Sequence, residues 1–194
     1  MALVATDTSG NESEISWAEI YPREHLVQIY QEEGAFADSL EAFVAGGLRA
    51  GESVIVIATS EHLCELESRL LKHSIDLIAA DLSEQFIALE ASAVLAKFMV
   101  NGWPDDVLFE QVVMGLLKRA GKGGRRVRAF GEMVAMMWAR GQTAAAVHLE
   151  RLWHKLCHKR GFSLFCAYPR NGFTENADAS IREICAAHSK YILG

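Results

Sequence analysis

The chain has 194 residues, of which 51% are hydrophobic and 23% are charged, as expected for one folded globular domain. Its formal net charge of −6 argues against a dedicated nucleic-acid-binding protein, because neutralising phosphates needs a clustered excess of lysine and arginine. No uncharged apolar stretch is long enough to span a bilayer, and the N-terminus lacks the basic and apolar parts of a secretory signal. We therefore expect a cytoplasmic protein that contacts neither nucleic acid nor membrane.

The N-terminal residues, 1–20, are mainly small, polar and acidic. Such a segment has little apolar surface with which to offset its loss of chain entropy on folding. We therefore predict a flexible arm over residues 1–20, followed by a single domain over residues 21–194.

After this segment, short apolar runs alternate with longer stretches of helical spacing. The apolar runs predict five strands, at His25–Tyr30, Ser53–Ala58, 86–89, 126–130 and 162–167. A helical stretch follows each strand. The first contains Phe36 and is predicted to end at Gly46 and Gly47, Ser60 is the predicted N-cap of the second, and Pro104 is predicted to start a later one. Two further helices are predicted at Thr143–Arg160 and at 177–188. This alternation predicts an α/β fold, a three-layer α/β/α sandwich with a mostly parallel sheet.

In an open parallel sheet, ligands bind beyond the carboxyl ends of the strands. The residues that follow the predicted strands are therefore the candidate ligand-binding residues, and they are Thr59, Ser60, Glu61, His62, Glu90, Glu132 and Tyr168. We expect their side chains to converge on one crevice.

The segment 46–63, GGLRAGESVIVIATSEHL, resembles the entry to the nucleotide-binding core of the RecA/KaiC-like ATPases. In those proteins the strand leads into a phosphate-binding loop with glycines and a lysine. Here the corresponding turn, 58–62, contains neither, and Glu61 adds a carboxylate where the phosphates would lie. We therefore expect no ATP turnover by this loop.

Further motifs occur in a fixed order along the chain. These are HLVQIY, AGGLRAGESVIVIAT, QFIALEAS, FMVNGWPD, RRVRAFGEMVAMMWARG, AAAVHLERLW and FSLFCAYP. Together they resemble the MEDS domain, the sensory domain of methanogen and methylotroph regulators. The resemblance implies a degenerate RecA/KaiC-like fold without a Walker A motif, a role in sensing a small molecule such as a hydrocarbon derivative, and a histidine kinase, response regulator or transcriptional regulator as partner. A homo-oligomer is a further alternative.

One helix of the chain carries Glu150, His154, Cys157 and His158 at spacings that suit a metal site. The buried stripe of this helix runs through its leucines and Trp153, so we expect these four side chains to form a solvated polar face instead. The sequence thus predicts no metal site, no cofactor and no catalytic residue. Two other functions stay open, a nucleotide-binding enzyme of residual ATPase or phosphotransfer type, and an adaptor that binds only proteins.

Overall fold

The computed structural model describes residues 4–7, 9, 11–17, 19–73, 75–172, 184 and 188–193. Its strands are β1 (Val4–Asp7), β2 (Glu12–Glu14), β3 (His25–Tyr30), β4 (Ser53–Ala58), β5 (Phe86–Glu90), β6 (Met99–Val100), β7 (Trp103–Pro104), β8 (Val127–Gly131), β9 (Ser163–Pro169) and β10 (Lys190–Leu193). Its α-helices are α1 (Glu33–Arg49), α2 (Ser60–Leu70), α3 (Leu77–Leu82), α4 (Ala91–Leu95), α5 (Asp106–Ala120), α6 (Met133–Ala139) and α7 (Thr143–Arg160).

Within the described residues, eight strands form one sheet in the order β2-β1-β10-β3-β9-β8-β4-β5. Six neighbouring strands, from β10 to β5, are parallel, and β1 and β2 extend that edge in antiparallel pairings. The strands β6 and β7 form a separate hairpin. The prediction of a mostly parallel sheet is confirmed.

Helices cover both faces of the sheet. Phe36 of α1 and Leu66 of α2 pack with Val56 and Phe165 on one face. On the other face, residues of α4 to α7 pack against alternate residues of the same strands. The structure is therefore the predicted three-layer α/β/α sandwich, with one apolar core on each side of the sheet. None of the described helices combines the length and the apolar character needed to cross a bilayer.

The five predicted strands are all present, and α7 has the predicted bounds. The β-branched run of β4 is buried at every position, as expected for a strand covered on both faces. Pro104 was predicted to open a helix but lies in β7, and α5 begins after it with Asp105 as its N-cap. The predicted helix over 177–188 falls almost wholly outside the described residues.

The N-terminal segment differs from the predicted flexible arm. Its strand β1 pairs with β10, and β2 pairs with β1. Ala5 and Ile20 are buried, and the Trp17 ring lies against the rings of Phe43 and Phe165. A few apolar side chains therefore attach this segment to the core of the domain, although its average composition is polar.

Gly46 and Gly47 do not end α1, which continues to Arg49. A Cβ atom on Gly47 would lie 2.7 Å from Cδ of Arg128 and 2.8 Å from Cγ2 of Val54. Gly47 is therefore needed where the helix approaches the sheet, and not as a helix terminator.

The Arg128 side chain that Gly47 accommodates is fully buried. Its Nε donates to Oε2 of Glu52 at 2.6 Å, and its Nη1 donates to the carbonyl oxygens of Trp17 and Phe43. Glu52 also pairs with Arg126. This buried ion pair joins β8, α1, the start of β4 and the N-terminal segment.

Candidate functional site

Glu132 links three elements at the carboxyl ends of β4 and β8. It follows β8 directly and is the N-cap residue of α6. Its Oε2 accepts a hydrogen bond from the backbone N–H of Thr59 at 2.9 Å, and its Oε1 lies 2.8 Å from Nδ1 of His62. The structure thus brings together three of the predicted site residues, Thr59, His62 and Glu132, around one carboxylate.

The His62 ring continues this arrangement into the space between α1 and α2. Its Nε2 lies 3.6 Å from Glu33, and its ring meets the Phe36 ring edge-on, with centroids 4.9 Å apart. Beside it is a narrow groove with a free volume of about 10 Å³, lined by Phe36, Ala37, Leu40, His62, Glu65, Leu66 and Arg69. Pockets that bind drug-sized molecules have about 300–1,000 Å³. This groove has room for about one water molecule, so α1 and α2 would have to separate before a small molecule could enter.

The turn between β4 and α2 is occupied by groups of the protein itself. Thr59, and not the predicted Ser60, is the N-cap of α2, and its side chain accepts from the backbone N–H of His62. Ser60 and Glu61 are exposed in the first turn of the helix. Since the N–H of Thr59 already donates to Glu132, the turn presents a carboxylate where a phosphate-binding loop would present free N–H groups.

Glu90 lies at the same edge of the sheet but serves another helix. It pairs in register with Ala58 of β4, and its carboxylate accepts from the backbone N–H groups of Ser92 and Ala93. These two hydrogen bonds hold the pKa of Glu90 below its usual value. Glu90 is therefore the N-cap of α4, and both of its carboxylate oxygens bond to that helix and not to His62 or Glu132.

Tyr168 lies on the opposite face of the sheet, so the predicted single crevice is wrong for this residue. Successive residues of a strand point to opposite faces, and Ala167 shares the core with α1 whereas Tyr168 shares the core with α7. The Tyr168 hydroxyl donates to Oε2 of Glu150 at 2.7 Å. Burial, with the Glu150 carboxylate, holds the pKa of Tyr168 well above its usual value.

The contact with Tyr168 leads to a buried polar cluster, formed by His25, Glu150, Cys166 and His188. Oε1 of Glu150 lies 3.0 Å from Nε2 of His25 and 3.1 Å from Nε2 of His188. The same Nε2 of His25 lies 3.4 Å from Sγ of Cys166. Burial, with the nearby His188, lowers the pKa of His25 to about 4.

Sequence reasoning missed this cluster. Glu150 was predicted to lie on a solvated face with His154, Cys157 and His158, yet Glu150 and Cys157 are both buried. The helix packs against α5 and α6 as well as the core on this face of the sheet, so its buried stripe is wider than the leucine pattern indicates. A usable signal was present in the strands, where His25 and Cys166 are polar residues within apolar runs of β3 and β9.

The contact between Glu132 and His62 predicts a dependence of stability on pH. Glu132 raises the pKa of His62 above 6.5, against the opposing effect of burial, and Glu33 and Glu61 raise it further. Because the folded-state pKa is raised, this contribution to stability is fully present below pH 6.5 and is lost as the pH rises through the folded-state pKa. Replacing Glu132 with glutamine should lower the pKa of His62 and remove this contribution.

The measurements are NMR titration of the His62 ring and the free energy of unfolding between about pH 5 and 8. We expect the difference in the free energy of unfolding between the wild type and Glu132→Gln to become smaller as the pH rises. Glu33→Gln is the matched control, because that carboxylate is 68% exposed and should shift the pKa of His62 less. A His62 pKa that Glu132→Gln leaves unchanged would contradict the contact.

No curated protein matches this chain. Among solved structures it is similar to Thermomonospora curvata EccC (ATPases 2 and 3) in complex with a signal sequence peptide, with 13% identity and a TM-score of 0.46 over 99% of this chain. The chain spans 33% of the length of that structure.

The family comparison covers most of the chain. Residues 24–189 match the model of the MEDS family, described as the methanogen/methylotroph, DcmR sensory domain. The match extends from the residue before β3 to the residue before β10 and includes Glu132, His62 and the buried polar cluster. The resemblance seen in the sequence motifs is thereby confirmed, and a sensory or signalling role follows from it. The chain belongs to the MEDS family of sensory domains.

Proposed function

We propose that the chain is a sensory domain that binds a small, partly apolar molecule in the groove beside His62 and relays its binding to a histidine kinase or a transcriptional regulator. The observation that carries this proposal is the position of Glu132. One carboxylate connects the end of β4, the first turn of α2 and the start of α6. The groove between α1 and α2 borders on His62, one of the residues that this carboxylate contacts.

The lining of the groove indicates the class of ligand. Phe36, Leu40 and Leu66 supply apolar surface, and His62 and Arg69 supply hydrogen-bond donors. Arg69 is held by Asp38 of α1 and by Glu65 of its own helix. A short hydrocarbon chain with one oxygen-containing group matches this polarity, and it would enter by separating α1 from α2. Such a ligand would shift the position of α2 only if it binds two arrangements of the helix with different affinity.

The turn that follows β4 supports a sensor over a nucleotide-dependent enzyme. A triphosphate would meet the carboxylates of Glu61 and Glu132, and the N–H of Thr59 is already bonded. A phosphate-binding loop needs free N–H groups and a lysine at this point. We propose that the domain descends from a RecA/KaiC-like fold whose phosphate site has been replaced by the pair of Glu132 and His62.

The ligand class can be tested by thermal unfolding of the chain with straight-chain alcohols and carboxylates of increasing length. A ligand that binds only the folded state raises the melting temperature with its concentration. We expect the melting temperature to rise with the short members of each series, and not with members that are too long for the groove. We also expect Ala37→Met, which places a longer side chain in the groove, to abolish the rise.

Ala42→Met is the matched control, since Ala42 lies on the same helix but does not line this groove. It should leave the response unchanged. A response to Mg-ATP, or steady phosphate release, would instead favour the enzyme. If no small molecule stabilises the chain and only a protein partner does, the domain is an adaptor and the proposal is wrong.

A further inference from the structure

The buried cluster on the α7 side of the sheet brings four potential ligand atoms together. Two imidazole nitrogens, one carboxylate oxygen and one sulfur, from His25, His188, Glu150 and Cys166, all lie within 4.8 Å of one another. The measured separations from Glu150 to the two histidines and from His25 to Cys166 are 3.0, 3.1 and 3.4 Å. In a tetrahedral zinc site, bond lengths of about 2.0–2.3 Å place ligand atoms about 3.3–3.7 Å apart. Small side-chain adjustments would suffice to admit an ion.

The orientation of His188 directs one of its ring nitrogens at the carboxylate of Glu150. Nδ1 of His188 lies 2.6 Å from the carbonyl oxygen of Ile184, which can only accept, so Nδ1 carries a proton. In the neutral imidazole Nε2 then presents a lone pair to Oε1 of Glu150. Both atoms are buried, and neither has a hydrogen-bond partner within the described part of the chain. With a neutral imidazole these two acceptors repel each other, and either a proton on Nε2 or a metal ion between the two atoms removes the repulsion.

The groups around the cluster resemble the support that metal ligands receive. The carbonyl of Ile184 fixes the tautomer of His188, and the hydroxyl of Tyr168 holds the second oxygen of Glu150. Nδ1 of His25 lies 3.3 Å from Nδ1 of His154. Each imidazole therefore has its Nε2 directed into the cluster and its Nδ1 engaged on the outside.

We propose that His25, Glu150, Cys166 and His188 form a binding site for a divalent d-block metal ion of the zinc class. Nitrogen and sulfur ligands with one carboxylate suit Zn²⁺, whereas Ca²⁺ and Mg²⁺ require oxygen ligands. All four residues are buried, so the ion would have no access to bulk solvent and would be structural. It would connect β3, α7 and β9 with His188, which lies two residues before β10.

The test measures metal content of the tag-free, full chain by mass spectrometry, after purification and after incubation with Zn²⁺. We expect one zinc per chain and a melting temperature that rises with Zn²⁺ and falls on chelation. Replacing zinc with Co²⁺ should give the intense visible bands of tetrahedral cobalt and a sulfur-to-cobalt charge-transfer band. In Cys166→Ser the charge-transfer band should disappear, and the affinity for zinc should fall at least about tenfold.

Cys157→Ser is the matched control. Cys157 is also buried, but its thiol donates to the carbonyl of Phe162 and it is not one of the four clustered residues. This variant should keep both the zinc and the charge-transfer band. The proposal is overturned if the folded wild type neither retains nor takes up zinc, if Co²⁺ gives only the weak spectrum of an octahedral ion, or if the two serine variants lose zinc equally.

Discussion

Replacing Glu52 with alanine should lower the free energy of unfolding by about 3–5 kcal/mol, because it leaves the Arg128 guanidinium buried without a counter-ion. Arg128 is fully buried and Glu52 is 5% exposed. A small domain has only about 5–15 kcal/mol of stability in total, so the variant should unfold far below the wild-type denaturant midpoint. Equilibrium unfolding in urea measures the loss.

The matched control for this variant is Glu110→Ala. Glu110 also pairs with two cations, Lys159 and Arg160, but its side chain is 44% exposed. Exposed ion pairs contribute about 0–1 kcal/mol, so the control should unfold close to the wild type. Equal losses in the two variants would mean that Arg128 finds solvent or another anion when Glu52 is absent.

Trp17→Ala should destabilise the protein by about 2–3 kcal/mol, although Trp17 lies in the segment that its composition marks as a flexible arm. The ring is half-buried, 5.9 Å from the Phe43 ring and 5.1 Å from the Phe165 ring, measured between centroids. A fully buried tryptophan would lose about 3–5 kcal/mol on the same change. The melting temperature and the urea midpoint report the effect.

Trp103→Ala provides the control for the loss of an indole. Trp103 is 46% exposed in the hairpin of β6 and β7 and stacks on the ring of His148. We expect this variant to lose less than about 1 kcal/mol. If Trp17→Ala is as mild as Trp103→Ala, the N-terminal segment does not contribute to the core and the flexible arm is the better description.

The central strands could be predicted because each of them is a continuous run of mainly apolar residues. The run Ser53–Ala58 is rich in β-branched residues that suit a strand covered on both faces, and it is shorter than a typical helix. The strands β2, β1 and β10, which form one side of the sheet, have three or four residues each. Their pairing depends on partners far along the chain, and no local pattern contains that information.

The candidate site was predictable only as far as topology determines it. Thr59, His62 and Glu132 follow neighbouring parallel strands, so the rule for strand ends brings them together. Tyr168 also follows this rule by position, but it falls on the wrong side because the alternation of β9 directs its side chain towards α7. The register of a strand therefore decides which face a predicted site residue serves.

The buried charges could not be predicted from composition. Arg128 belongs to a basic stretch that we would assign to solvent, and only the close approach of α1 at Gly47 explains its burial. Likewise Glu150 has partners on β3 and before β10, at opposite ends of the sequence. Such polar contacts depend on the assembled tertiary structure, whereas apolar periodicity is a local property.

The position of β10 also constrains the order in which the molecule can fold. β10 lies between β1 and β3, so the first strands of the chain have no place on the sheet until one of the last has docked. Thr6 pairs with Tyr191, a contact that closes nearly the whole chain, and closures of this length are slow. During synthesis β1 and β2 can pair with each other, but they cannot join the sheet until β10 has left the ribosome. The N-terminal segment is accordingly exposed to chaperones and proteases until β10 has docked.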